Sequence, residues 1–177
     1  MARQVSCINN LKQLGLAFHL YFTDYNEDIP LAVGHGDATH GHKSWYVRIA
    51  PYIRPGFNAT ASAITNLKVF TCPSYRTAEG ISAWYPRFAE NYYWGNPDQP
   101  WRKLSSVKKP SQTMLLIEKS DITTPFRVYT GEISGITKAK QNRHLTGVTI
   151  LFFDGRADFW TDSIPASDSD VFWSKPY

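Results

Sequence analysis

The first two dozen residues constrain this chain more than any other segment. Val5, Ile8, Leu11, Leu14, Phe18, Tyr21, Phe22 and Tyr25 recur at spacings of three and four, which draws one apolar stripe along a helix. The helix read from this pattern covers residues 4–26. Asn26, Asp28 and Pro30 supply its stop, and Gly15 is a weak point inside it. Its start has no cap. Met1-Ala2-Arg3-Gln4 enters without Ser, Thr, Asp or Asn ahead of it, and Ser6 comes too late to serve. A helix with a stop and no start is expected to begin further upstream.

The remainder divides into a loop region over 27–90, strands over 91–160 and a C-terminal loop over 161–177. Gly34, Gly36 and Gly41 mark loop. Residues 44–53 read as a short helix capped by Ser44 and ended by Pro55-Gly56. Asn91-Tyr92-Tyr93-Trp94-Gly95 reads as a short aromatic strand, and Thr113–Glu118 as a buried strand entered after Pro110. Val148–Phe153 is the strongest strand. Asp154-Gly155 and then Ala157–Trp160 complete a hairpin signal. A helix followed by antiparallel strands gives an α+β fold, one domain over 1–177, with the helix laid on one face of the sheet.

The chain is 42% hydrophobic and 19% charged, which suits a packed core and excludes disorder and a coiled coil. Its net charge of +4 is carried by scattered residues, whereas nucleic-acid binders gather basic residues into a stripe; no nucleic-acid partner is expected. No stretch of these residues reaches the roughly 18 apolar residues that span a bilayer, and they show no n-region and h-region pattern.

Several constellations could carry chemistry. Ten residues separate His144 from Asp154, and most of them are extended, which would hold the two roughly 25–33 Å apart. They are not expected to form a catalytic pair. Asp154-Gly155 reads as turn chemistry, and His144 as a strand-entrance residue bonding a loop backbone group. His35, His40 and His42, with Asp37 between them, offer transition-metal ligands but lack the four-ligand spacing of a structural site. Asp158, Asp162, Ser163, Asp168, Ser169 and Asp170 offer hard oxygens suited to calcium, without EF-hand spacing. No nucleophile elbow, P-loop or carboxylate pair stands out. Cys72 has no evident base in the sequence, and Glu27, Glu79, Glu90, Glu118 and Glu132 are scattered. No enzyme is expected. Cys7 and Cys72 permit one disulfide, which would pin the loop to the helix outside the cytoplasm, or two buried thiols.

Four segments together carry a resemblance: Ser6-Cys7-Ile8-Asn9-Asn10-Leu11-Lys12-Gln13-Leu14-Gly15, Phe70-Thr71-Cys72-Pro73-Ser74, Lys109-Pro110-Ser111-Gln112-Thr113, and His144 followed by nine residues and Asp154-Gly155. In this order they resemble the prepilin-like proteins of the H-X9-DG, DUF1559-like family, akin to type II secretion pseudopilins. Where that family often has His after Asp-Gly, this chain has Arg156.

The resemblance implies a type IV pilin-like fold and an upstream hydrophobic half-helix in the inner membrane of a Gram-negative bacterium. It also implies a head in the periplasm or at the cell surface, and other pilin or pseudopilin subunits as partners through the N-terminal helix. Calcium in a C-terminal loop of major pseudopilins draws attention to Asp162, Asp168 and Asp170; otherwise no cofactor is expected. The alternative is an extracytoplasmic carbohydrate- or ligand-binding module that stacks ligands on Trp84, Tyr85, Trp94 and Trp101.

Overall fold

The computed structural model describes residues 2–32, 44–57, 63–64, 67–75, 86–96, 102–119, 127–128, 143–144, 146–165 and 172–173. Helix α1 runs Ala2–Asp24 and buries Cys7, Leu11, Leu14, Gly15, Ala17, Phe18, Tyr21 and Phe22. It ends where Asn26 and Glu27 take left-handed φ values of 51° and 65°, a conformation in which the helix cannot continue. Lys103 fastens the exit, with Nζ on the Asn26 carbonyl at 2.7 Å and on Asp28 Oδ1 at 2.9 Å.

Helix α2, Trp45–Ile53, packs on α1. Ser44 holds the N-cap position, but its side chain makes no capping hydrogen bond. The helix is held by burial instead: Trp45 stacks on Phe18 at 5.6 Å between ring centroids, and Ile49 and Ala50 are fully buried.

Five strands form one sheet in the order β3-β1-β2-β4-β5: β1 Phe88–Asn91, β2 Met114–Glu118, β3 Arg127–Val128, β4 Val148–Phe152 and β5 Ala157–Trp160. Strands β1, β2, β4 and β5 are antiparallel to their neighbours, and the short β3 adds to β1 in parallel. This is the α+β, pilin-like arrangement of a long N-terminal helix on an antiparallel sheet. The aromatic segment differs from its sequence reading. The chain enters the sheet earlier, at Phe88, and Tyr92–Gly95 coils into a helical turn, α3. The Asn91 side chain causes the change, because its Oδ1 accepts the Tyr93 N–H at 3.2 Å, which starts a turn where a strand would need that donor.

The sheet is covered on both faces, so β2 and β4 read as near-continuous apolar runs rather than as alternating ones. On one face Phe88, Leu115, Leu116, Leu151 and Phe153 pack with α1 and α2. On the other, Ala89, Met114, Ile117, Val148, Ile150 and Phe152 pack with Phe172 and Trp173. Strand β4 thus runs beneath α1, and each of its ends meets a different part of the helix.

Candidate functional site

At the entrance to β4 four side chains of three chemical kinds converge. Cys7 of α1 and Cys72 are joined by a disulfide. Cys72 follows the turn Lys68–Phe70, and Asn10, one helical turn from Cys7, holds that loop by donating from Nδ2 to the Thr71 carbonyl at 2.9 Å. Glu118 ends β2 and lies on the helix-facing side, beyond Ile117 of the opposite face. His144 Nε2 stands 3.2 Å from Glu118 Oε1 and 3.4 Å from Cys72 Sγ. The donor atoms of Cys7, Cys72, Glu118 and His144 all lie within 4.8 Å of one another.

The surroundings balance this group. Glu118 Oε2 accepts the Thr149 N–H at 2.7 Å. The Arg143 guanidinium sits 3.8 Å from Glu118 Oε1, with both side chains wholly buried, and donates to the Arg87 and Lys119 carbonyls at 3.1 and 2.9 Å. A buried carboxylate without such partners would cost several kcal/mol. Phe159 meets the His144 ring edge-on, 5.8 Å between centroids.

His144 therefore bonds a buried carboxylate, not the loop backbone group the sequence suggested. Cys72, which had no evident base in the sequence, has an imidazole beside it. The arrangement is still not a nucleophile–base–acid relay, in which the base uses one ring nitrogen for each neighbour. Here a single nitrogen, Nε2, faces both the sulfur and the carboxylate. In the sequence Glu118 is one of several scattered glutamates. The signal that could have found it is its place at the end of a buried-type strand, where a carboxylate requires a partner.

A second junction lies at the exit of β4. Gly155 takes φ +86°. The Asp154 side chain accepts the Arg156 N–H at 2.9 Å and is exposed, at the opposite end of β4 from His144. Gly15 of α1 rests on this turn: a Cβ there would stand 2.9 Å from Leu151 Cδ1 and 3.5 Å from the Gly155 carbonyl oxygen. The helix tolerates a glycine, at about 1 kcal/mol, because the hairpin needs the room. The turn at Lys109–Thr113 closes the junction. Phe153 N–H donates to the Thr113 carbonyl at 3.1 Å, and Asp154 N–H to the Pro110 carbonyl at 3.3 Å. Arg156 joins it, with Nη2 on the Ser111 carbonyl at 2.9 Å and the guanidinium 3.9 Å over the Phe152 ring.

His35, His40, His42, Asp37, Asp168, Ser169 and Asp170 lie outside the described residues, as do Trp84, Tyr85 and Trp101. Asp162 and Ser163 are exposed, and Asp158 pairs with Arg156 at 2.7 Å. Trp94 is buried against Phe153, and its indole N–H donates to the Trp173 carbonyl at 3.3 Å, so its ring offers no stacking surface. A pocket of about 120 Å³ between Tyr21, Tyr25, Ile29, Arg48 and Arg102 falls below the roughly 300–1,000 Å³ of small-molecule sites. Glu90 of β1 is buried with neither carboxylate oxygen hydrogen-bonded. Burial raises its carboxyl well above the usual range, against the opposing pull of Arg102.

Among known families, one described as a protein of unknown function, DUF1559, matches residues 1–122. These include Cys7, Cys72, Glu118 and the Lys109–Thr113 turn; His144 and Asp154-Gly155 lie beyond them. No curated protein and no solved structure matches the chain.

Proposed function

The chain belongs to the DUF1559 family, and from that membership we propose that it is a structural, non-catalytic subunit of a pilin-like or pseudopilin-like assembly. The observation that carries this reading is the outward face of α1. Val5, Leu16 and Leu20 are 55%, 65% and 43% exposed, and at 100° per residue they fall within about 60° of arc. Asn9 lies between them, and Lys12 beside Val5, on the same exposed face. A helix that buries one stripe in its own head and leaves a second apolar stripe outward is suited to packing against helices of other subunits. The two junctions support the reading as well, because they hold α1 rigidly to the sheet and give neighbouring subunits a fixed head orientation.

In this proposal the anchor is a hydrophobic segment upstream of Ala2, the head stands outside the inner membrane, and no nucleic acid takes part. The test uses the full-length protein in its native host with Leu16→Asp and Leu20→Asp. Surface changes of this kind should leave the stability of the head within about 0.5 kcal/mol, while the protein disappears from sheared surface assemblies and stays in the membrane fraction. Undiminished assembly, or a coding sequence without about 20 apolar residues upstream, would refute the proposal.

A further inference from the structure

The donor set at the entrance to β4 goes beyond a cross-link. We propose that Cys7, Cys72, Glu118 and His144 form a tetrahedral site for a zinc-class divalent cation in the thiol state of the chain, and that disulfide formation and metal occupancy exclude one another.

Three observations carry this. The first is spacing. Around an ion with bonds of about 2.0–2.3 Å, tetrahedral ligands stand roughly 3.3–3.8 Å from each other. The His144 Nε2 to Glu118 Oε1 separation is 3.2 Å and the Cys72 Sγ to His144 Nε2 separation is 3.4 Å. The first is at the lower edge of that range, the remaining pairs lie within 4.8 Å, and the two sulfurs are closer because they are bonded. The second is aim. One imidazole nitrogen faces both the sulfur and the carboxylate, as a nitrogen directed at the centre of the set must.

The third is the outer shell. Ser74 N–H donates to Cys72 Sγ at 3.4 Å, a bond that favours a thiolate, and Thr149 N–H holds the other oxygen of Glu118 at 2.7 Å. Supporting bonds of this kind orient metal ligands. The charges also close. A divalent ion offsets two thiolates, and Arg143 offsets Glu118, so the metal-loaded form buries no more net charge than the disulfide form. Two sulfurs, one nitrogen and one carboxylate oxygen suit zinc over calcium or magnesium.

The redox step balances. A phosphine or dithiol reductant supplies two electrons and the sulfur–sulfur bond breaks; with a phosphine, water gives its oxygen to the phosphine oxide and its two protons to the two thiols, and a dithiol gives up its own two protons and leaves as a disulfide. Metal binding then releases both thiol protons. In the reverse direction a disulfide oxidant accepts the two electrons, the sulfurs bond, and the ion leaves.

The test is a cobalt(II) titration of the protein, oxidised and after anaerobic reduction by a phosphine, with folding followed by circular dichroism. The reduced protein should take up one cobalt with the intense visible bands of tetrahedral thiolate coordination. Zinc should displace it, and the oxidised protein should bind none. Glu118→Gln and His144→Asn should each weaken binding by more than about tenfold, the low end of what loss of an outer-shell partner brings. If reduction unfolds the chain, zinc should restore the native spectrum. The proposal fails if the folded reduced protein binds no cobalt or gives weak octahedral bands. It fails if Glu118→Gln and His144→Asn bind as tightly as the parent, which would mark a bare dithiol. It also fails if zinc does not refold a reduced chain that has unfolded.

Discussion

Replacing Glu118 by alanine tests whether the buried cluster holds the fold. The side chain is wholly buried, accepts the Thr149 N–H at 2.7 Å, lies 3.2 Å from His144 Nε2 and faces the buried Arg143 at 3.8 Å. Removing it strands a backbone donor and takes away the carboxylate that faces the buried Arg143. Arg143 keeps the Arg87 and Lys119 carbonyls, so its hydrogens stay partly satisfied. Breaking a buried pair from one side costs about 3–5 kcal/mol. For a chain of this size that lowers the melting temperature by about 6–20 °C. The assay is urea unfolding of the oxidised protein. The midpoint should fall while the slope stays constant, because the surface exposed on unfolding is unchanged. A double variant, Glu118→Leu with Arg143→Met, removes both charges and should be less destabilised than the sum of its single changes. A cost below about 1 kcal/mol for Glu118→Ala would place the pair among exposed salt bridges and refute the reasoning. So would strict additivity in the double variant.

Three further outcomes are expected. Cys7→Ser with Cys72→Ser should lower stability by about 4 kcal/mol, from the entropy of closing a loop of sequence separation 65, read by denaturant unfolding with and without reductant. Gly95→Ala should cost about 1–3 kcal/mol, because its Cβ would meet Ala32 N at 2.5 Å and Glu90 Oε2 at 2.9 Å; thermal melts check this. Glu90→Gln should stabilise the protein above about pH 4.5 and be neutral below it. The folded carboxyl titrates well above its unfolded value, so the native state loses ground as pH rises from the unfolded pKa towards the folded one. A stability difference that does not vary with pH between acid and neutral conditions would count against this.

The helix, the strands at 114–118 and 148–152, and the Asp-Gly hairpin were legible because each is a local signal: a period of 3.6, a period-free buried run, a turn dipeptide. The Tyr92–Gly95 turn was not. Its residues favour strands, and the outcome was settled by one Asn91 side chain bonding a backbone donor. The cluster was half legible. Cys7, Cys72 and His144 stood out as residue types, but their meeting depends on sequence separations of 65 and 72, which only the tertiary fold closes. Glu118 carried no motif at all. Its role comes from the pleat, which turns it towards the helix one residue after Ile117.

The nine-residue spacing between His144 and Asp154 now has a physical reason. Its two ends are pinned to one helix, His144 at the Cys7 junction and Gly155 beneath Gly15 and His19. From Cys7 to the stretch 15–19 the helix advances about 12–18 Å. The five residues of β4 cover about 17 Å, and the other positions of the interval serve as turn residues at either end. A single inserted residue would lengthen the strand past its second junction. It would also exchange the two faces of β4, sending Leu151 away from α1 and Ile150 towards it. The motif is therefore a ruler between two contacts on α1. Its histidine and its aspartate never need to meet, because each end answers to a different part of the same helix.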